Sequence, residues 1–138
     1  MATFKVTRKI RFGQTDAAGI TYYPRLVEMI NDIVEDFFAE AVKFSYKEMI
    51  VETDYAVPTV NLNVTFKRPA ELEDYVDWYL NIIKIGRSSF TVEIDAKVGE
   101  NKILNAIVTL AYTKGKGAVM KSHPLPENIK EIMQEYMK

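Results

Sequence analysis

Apolar and polar residues alternate at the start of the chain. Phe4, Val6, Ile10 and Phe12 fall on one side and Lys5, Thr7, Lys9 and Arg11 on the other. That period of two predicts a half-buried strand. Residues 13–19 (GQTDAAG) are small and polar and predict a loop. The period then changes. Between residues 24 and 42, Leu26, Ile30, Ile33, Phe37 and Ala41 share one helical stripe, widened by Val27, Val34 and Phe38. Glu28, Asp32, Glu35, Asp36 and Glu40 lie mostly off it. So broad an apolar face predicts a helix wrapped by a sheet. Residues 44–51 predict a short second helix or turn.

The remainder reads mostly as strand. Val60, Leu62, Val64 and Phe66 alternate with Thr59, Asn61, Asn63 and Thr65, and Pro69 closes the run. Val76, Trp78, Leu80 and Ile82 form the next strand, and Gly86 with Arg87 marks a turn. Phe90, Val92, Ile94, Ala96 and Val98 alternate with polar residues up to a second turn at Gly99. Residues 103–113 are almost continuously apolar and predict a strand buried on both faces. Gly115 and Gly117 suggest a late turn, and residues 126–137 a C-terminal helix. A strand, a long helix and four strands in antiparallel-style succession make an α+β domain spanning residues 1–138. Two folds satisfy this order. One is the hotdog fold, an antiparallel sheet wrapped around one long central helix. The other is a cone-shaped fold of the ketosteroid-isomerase type. Periodicity does not separate them.

Composition narrows the function. The chain has 138 residues, 48% of them hydrophobic, enough to bury a core. Lys plus Arg is 18 and Asp plus Glu is 19, for a net charge of −1. Nothing there suggests a general grip on nucleic acid or on an anionic membrane. Cysteine is absent, which excludes a thiolate nucleophile, an iron–sulfur cluster and Cys-ligated zinc. His123 is the only histidine, so a multi-His metal site within one chain is excluded as well. No stretch approaches the length of a membrane span, and the alternating N-terminus lacks the apolar core of a signal peptide. A cytoplasmic protein is expected.

Asp16 is the first candidate for chemistry. It sits in the loop QTDAAGITYYP, before the strongest helix. A loop aspartate commonly does no more than close an Asx turn. The start of the helix adds weight to a functional role. Pro24 suits the first helical position, which makes Tyr23 the N-cap. Tyrosine has no short acceptor to fold back onto the free helix N–H groups. Unpaired donors at the positive end of a long helix, seven residues after an acid, suit polarising a carbonyl beside a carboxylate. Ordinarily, water satisfies such donors.

The segment RFGQTDAAGITYYPRLVEMINDIVEDFF resembles the 4-hydroxybenzoyl-CoA thioesterase family of hotdog proteins. That family carries a D-x-x-G-[IV]-x-[YF]-x-x-[YF]-like signature between its first strand and central helix. The resemblance extends through VPTVNLNVTFKRPAELEDYV and IGRSSFTVEIDAKV to nearly the whole chain. It implies a hotdog homodimer, often paired again into a tetramer, with acyl-CoA as substrate and active sites at the dimer interface. No cofactor is expected, coenzyme A being part of the substrate. Asp16 takes the position of the catalytic carboxylate. Tyr23 takes the position whose backbone N–H polarises the thioester carbonyl, and Gly19 the tight turn of the loop. Asp16 would attack to form a mixed anhydride or activate a water. Aspartate's low basicity favours attack.

The resemblance also implies contacts to the substrate. Arg87, Ser88 and Ser89 occupy a turn where the family often meets the nucleotide, and Lys121 matches a basic position before the C-terminal helix. Thr59, at a strand start after Pro58, could reach the acyl pocket. Such turn and strand residues are more often solvated. Two departures stand out. Gln14 replaces an acid that some members carry two residues before the catalytic aspartate. Asn31 stands where the 4-hydroxybenzoyl-specific enzyme has an aspartate that receives the phenol hydroxyl. Asparagine is neutral, and both donates and accepts. This points to a related aromatic acyl-CoA with hydroxyls elsewhere on the ring. His123 has no partner motif, and the central helix lacks the histidine of hotdog dehydratases. The alternatives are a non-catalytic acyl-CoA or acyl-carrier binding module, and a cone-shaped isomerase or dehydratase.

Overall fold

Alternation places the first strand as expected, and the rest of the sheet assembles around it. The structure, a computed structural model, describes residues 2–138. Strand β1 (Phe4–Lys9) buries Phe4 and Val6 and turns Lys5 and Thr7 outward. It ends sooner than the pattern suggests. Phe12 opens a one-turn 3-10 helix (Phe12–Gln14) and is 82% exposed, not inward-facing. The cause is local, because the Gln14 side chain accepts the Arg11 N–H at 2.8 Å and closes a turn there.

Helix α1 (Tyr23–Phe37) buries Leu26, Met29, Ile30, Ile33, Val34 and Phe37. Its expected last residues form a widened π turn instead (Phe38–Val42), which ends at Lys43 in the left-handed region. In a regular helix successive side chains diverge by about 100°. The wider turn lets Phe37, Phe38 and Val42 all face the core. A second π turn (Lys47–Glu52) leads into the short strand β2 (Tyr55–Ala56).

Four longer strands come next: β3 (Thr59–Phe66), β4 (Tyr75–Ile85), β5 (Ser89–Val98) and β6 (Asn101–Ala111). They pair antiparallel in the order β1-β4-β5-β6-β3. One face, carrying Trp78, Leu80, Phe90, Val92, Ile94 and Val108 among others, is buried under α1. This is the wrapped-helix architecture rather than the cone. Beyond the buried pair Ile103 and Leu104, strand β6 is buried on one face only, unlike the expectation for residues 103–113. Asn105, Ile107 and Thr109 lie half-exposed on the outer face, because a helix covers just one side of the sheet. There Asn105 donates to Glu93 (3.0 Å) and Asp95 (2.8 Å). Strands β7 (Thr113–Lys114) and β8 (Lys121–Ser122) form a small sheet with β2 in the order β2-β7-β8. Helix α2 (Glu127–Glu135) buries Ile129 and Met133.

The two edges of the main sheet differ. Edge strand β1 carries Lys5, Arg8 and Lys9, charges that oppose further pairing. Edge strand β3 (TVNLNVTF) carries none and is exposed along nearly its whole length, with Val60 at 60%. Among the described residues, no helix is long and apolar enough to cross a membrane.

Candidate active site

The loop before α1 is a small ladder that leads into the helix. Thr15 bridges Thr21. On either side of that pair, the Asp16 N–H donates to the Ile20 carbonyl (2.9 Å) and the Tyr22 N–H to the Gln14 carbonyl (2.8 Å). Asp16 sits at the tip. Its Oδ1 accepts the Ala18 N–H at 2.9 Å, the Asx turn that loop acids favour. Its Oδ2 makes no hydrogen bond among the described residues and is free for chemistry. The side chain is exposed and opens onto a shallow depression lined by Phe12, Gly13, Thr15, Gly19 and Leu72. Gly19 turns the loop at φ +79°, and a Cβ there would meet no neighbour. Its amide and carbonyl are both engaged, to Asp16 (3.0 Å) and Leu72 (3.2 Å). Its contribution is therefore conformational.

The helix begins one residue earlier than expected. Tyr22 is the N-cap and Tyr23 the first helical residue, with Pro24 second. The shift arises because the ladder holds Tyr22 extended, with ψ 119°. Tyr22 has no side-chain cap. Its carbonyl accepts the Arg25 N–H at 2.8 Å, and Pro24 has no donor. The Tyr23 N–H is left without a hydrogen bond among the described residues. It lies at the positive end of a 15-residue helix. The Tyr23 ring packs edge-on to Phe66, with centroids 5.9 Å apart, which sets this helix end beside the end of β3.

Asn31 and Thr59 are brought together. With Val27, Ile30, Val34, Leu62 and Val108 they line an apolar cleft of about 160 Å³ between α1 and β3. Thr59 shares this side with Leu62 because the β3 register shifts between Thr59 and Asn61, leaving Val60 as the extra residue. Val27, Leu62 and Val108 are lining residues that the pattern alone does not single out. They read as ordinary core or strand positions. The available signal was the uncharged edge strand.

The remaining candidates lie at the other end of the sheet. The Ser88 carbonyl accepts from Tyr112 (2.8 Å) and the Arg87 carbonyl from Leu125 (2.8 Å). The Gly86 N–H closes the turn onto Ser89 (2.7 Å). Lys121 is exposed on β8. Leu110 pairs with Thr59, whereas Leu104 pairs with Phe66. Arg87, Ser88 and Lys121 thus sit at the Thr59 end, and Asp16 and Tyr23 at the Phe66 end. Those ends are roughly 23 Å apart at the usual strand rise. One chain therefore does not unite the two groups. His123 belongs to the Thr59 end too, packed edge-on against Tyr55 and Tyr112. Burial, then the neighbouring Tyr55, pushes the Tyr112 phenol up to about 12. This aromatic cluster reads as packing. Among the described residues, no group of three or more His, Asp or Glu side chains is placed to hold a metal ion.

The sequence profile of the thioesterase superfamily matches residues 18–104, starting two residues after Asp16. A 1,4-dihydroxy-2-naphthoyl-CoA hydrolase from Synechococcus elongatus is 26% identical over 135 residues, 97% of each chain. Among solved structures, a 1,4-dihydroxy-2-naphthoyl-CoA thioesterase from Synechocystis superposes with a TM-score of 0.85 at 21% identity, covering 97% of both chains. A 4-hydroxybenzoyl-CoA thioesterase from a Pseudomonas species gives 0.84 at 20% identity, covering 94% of this chain and 98% of that one. At these identities the superpositions speak to the fold, which is the hotdog fold.

Proposed function

Since the chain belongs to the thioesterase superfamily and is an acyl-CoA thioesterase, we propose that it hydrolyses an aromatic acyl-CoA by carboxylate chemistry at Asp16. One observation carries this reading. The free Asp16 Oδ2 and the unpaired Tyr23 N–H share one short ladder at the start of α1. A thioester carbonyl seated on the Tyr23 N–H has its oxygen at the positive end of the helix dipole. The Asp16 carboxylate attacks the carbonyl carbon, and the negative charge moves to that oxygen. As the carbonyl reforms, the C–S bond breaks and the thiolate of coenzyme A leaves, taking a proton from solvent. Water then hydrolyses the mixed anhydride, which releases the acid and restores the Asp16 carboxylate.

The aromatic preference rests on the apolar cleft with the Asn31 amide and the Thr59 hydroxyl at its rim. At about 160 Å³ it is smaller than a usual small-molecule site, roughly 300–1,000 Å³. Asn31 lies eight residues beyond Tyr23, about 12 Å along the helix. That is close to the full extended reach from a thioester carbonyl held on the Tyr23 N–H across one or two fused rings. The uncharged β3 edge resolves both difficulties. Antiparallel pairing of β3 with a second copy brings the Thr59 end of one subunit beside the Phe66 end of the other. Each site then combines Asp16 and Tyr23 of one subunit with Asn31 and Thr59 of its partner. Arg87, Ser88 and Lys121 of that partner lie on the same side, suited to the phosphates of coenzyme A. In this reading the enzyme works in the cytoplasm as a homodimer or a dimer of dimers. The 1,4-dihydroxy-2-naphthoyl and 4-hydroxybenzoyl groups of the relatives define the first substrates to test. A thiol-release screen across aromatic, short-chain and long-chain acyl-CoAs is expected to give its highest kcat/KM on a hydroxylated aromatic thioester. A clear preference for an aliphatic acyl chain would refute the substrate assignment.

A further inference from the structure

Both ends of the β3 edge expose apolar side chains. At the Thr59 end, the turn between β7 and β8 exposes Val119 (68%) and Met120, and Met120 lines an open groove of about 340 Å³ with Ile50 and Val51. Residues 114–121 read KGKGAVMK, with three lysines and no acid. At the Phe66 end, Phe12, Leu72, Tyr22 and Tyr23 are exposed around the Asp16 loop. Residues 71–77 read ELEDYVD; Glu73 already faces Lys9 (3.9 Å) and Asp77 faces Lys5 (4.0 Å), which leaves Glu71 and Asp74 without an ion pair among the described residues. An apolar tip bearing lysines and an apolar loop bearing Glu71 therefore stand at opposite ends of one chain, too far apart to meet within it.

Pairing of β3 with a second copy brings them together. Full pairing over the eight residues of β3 sets Thr59 opposite the partner's Phe66. Asp54, which precedes β2, then lies at the same end of the pair as the partner's Glu71. Both are anchor points. The Asp54 carbonyl accepts the Gly115 N–H (2.8 Å), and its carboxylate faces Lys116 (3.8 Å). Glu71 bridges Ile20 of the Asp16 loop. The two-fold axis of an antiparallel pair stands perpendicular to the sheet, so both helices lie on one face. The tip is also held in shape. Gly115 has φ +100°, and a Cβ there would lie 2.7 Å from the Val119 carbonyl oxygen. Only glycine is tolerated in that conformation.

We propose that residues 115–120 of each subunit dock on the Asp16 loop of the other and form the outer wall of its thioester site. Val119 and Met120 cover the exposed Leu72 and Phe12, and Lys116 turns toward Glu71. This rests on the β3-paired dimer of the proposed function. The wall excludes bulk water from the Tyr23 N–H, which strengthens its hold on a developing oxyanion.

The absence of cysteine makes the test clean. A chain carrying Ala17→Cys and Val119→Cys is treated with a short bis-maleimide, and each single variant serves as a control. The double variant is expected to run mostly as a covalent dimer on a denaturing gel, and the single variants as monomers. In parallel, Lys116→Glu is expected to lower kcat/KM roughly tenfold, the scale of one like-charge contact. Adding Glu71→Lys is expected to restore it. If light scattering gives a dimer that Leu62→Lys dissociates, yet the double variant does not crosslink, the wall is wrong and the β3 pairing stands. If the untouched protein is a monomer, both fall. Full crosslinking with no kinetic response to the charge reversal would overturn the Lys116–Glu71 contact.

Discussion

Asp16 carries two separable duties, and substitution can divide them. Its Oδ1 closes the turn onto the Ala18 N–H at 2.9 Å, while its Oδ2 is free. Asp16→Asn keeps an acceptor at Oδ1 and nearly the same shape, but removes the nucleophilic charge. Asp16→Ala removes both. The turn hydrogen bond lies at the surface and contributes about 0.5–1 kcal/mol. Asp16→Ala should therefore melt about 2–4 °C below the parent, and Asp16→Asn within about 1 °C of it. Both should lose at least about a thousandfold in kcat, or roughly 4 kcal/mol of transition-state stabilisation. The residual rate comes from substrate positioning and the Tyr23 N–H. Asp16→Glu keeps the charge but displaces it by one methylene, and should lose about a hundredfold. The assay is continuous thiol release from the best aromatic acyl-CoA, paired with thermal melting and light scattering. If Asp16→Asn keeps kcat within tenfold of the parent while folded and dimeric, the carboxylate takes no part in bond cleavage.

Other parts of the molecule give independent tests. Asn31→Asp should raise the kcat/KM ratio of para-hydroxylated over unsubstituted benzoyl thioesters by about tenfold; an unchanged ratio over a ring-substituted panel removes Asn31 from the acyl site. Leu62→Lys puts a charge in the middle of the uncharged β3 edge and should give a folded monomer by light scattering, inactive because each site lacks its partner's half. The Glu93 carboxyl is held below the usual range chiefly by the Lys138 ammonium that donates to it, with Asn105 adding a second hydrogen bond. A depressed carboxylate stabilises the fold above its unfolded pKa and loses that contribution as pH falls through the folded value. Glu93→Gln should therefore lower the melting temperature at pH 7, and the two melting temperatures should converge as pH falls below the depressed folded value of Glu93.

Much of this protein is legible in residue order. The alternation of β4 and β5 and the stripe of α1 located the core, because burial on one face of a strand or helix imposes period 2 or 3.6. Asp16, the glycine three residues on and the helix start were legible as a short-range constellation. The π turn after Phe37 was not, since the apolar pattern of residues 37–42 fits a regular helix equally well. Nor was the single-sided burial of β6: an apolar run does not say whether its second face has a cover. The helix cap was misplaced by one residue because the Thr15–Thr21 bridge, a contact that local rules do not encode, holds Tyr22 extended.

By itself, then, the sequence determined the elements, their inward faces and the local chemistry of the Asp16 loop, all properties of neighbouring residues. Only the tertiary structure decided that Asn31 and Thr59 meet in one cleft, and that Arg87 and Lys121 stand at the far end of the sheet from Asp16. Those relations depend on strand order and on a bulge at Val60. They join residues 28 or more positions apart along the chain, where no periodic signal survives.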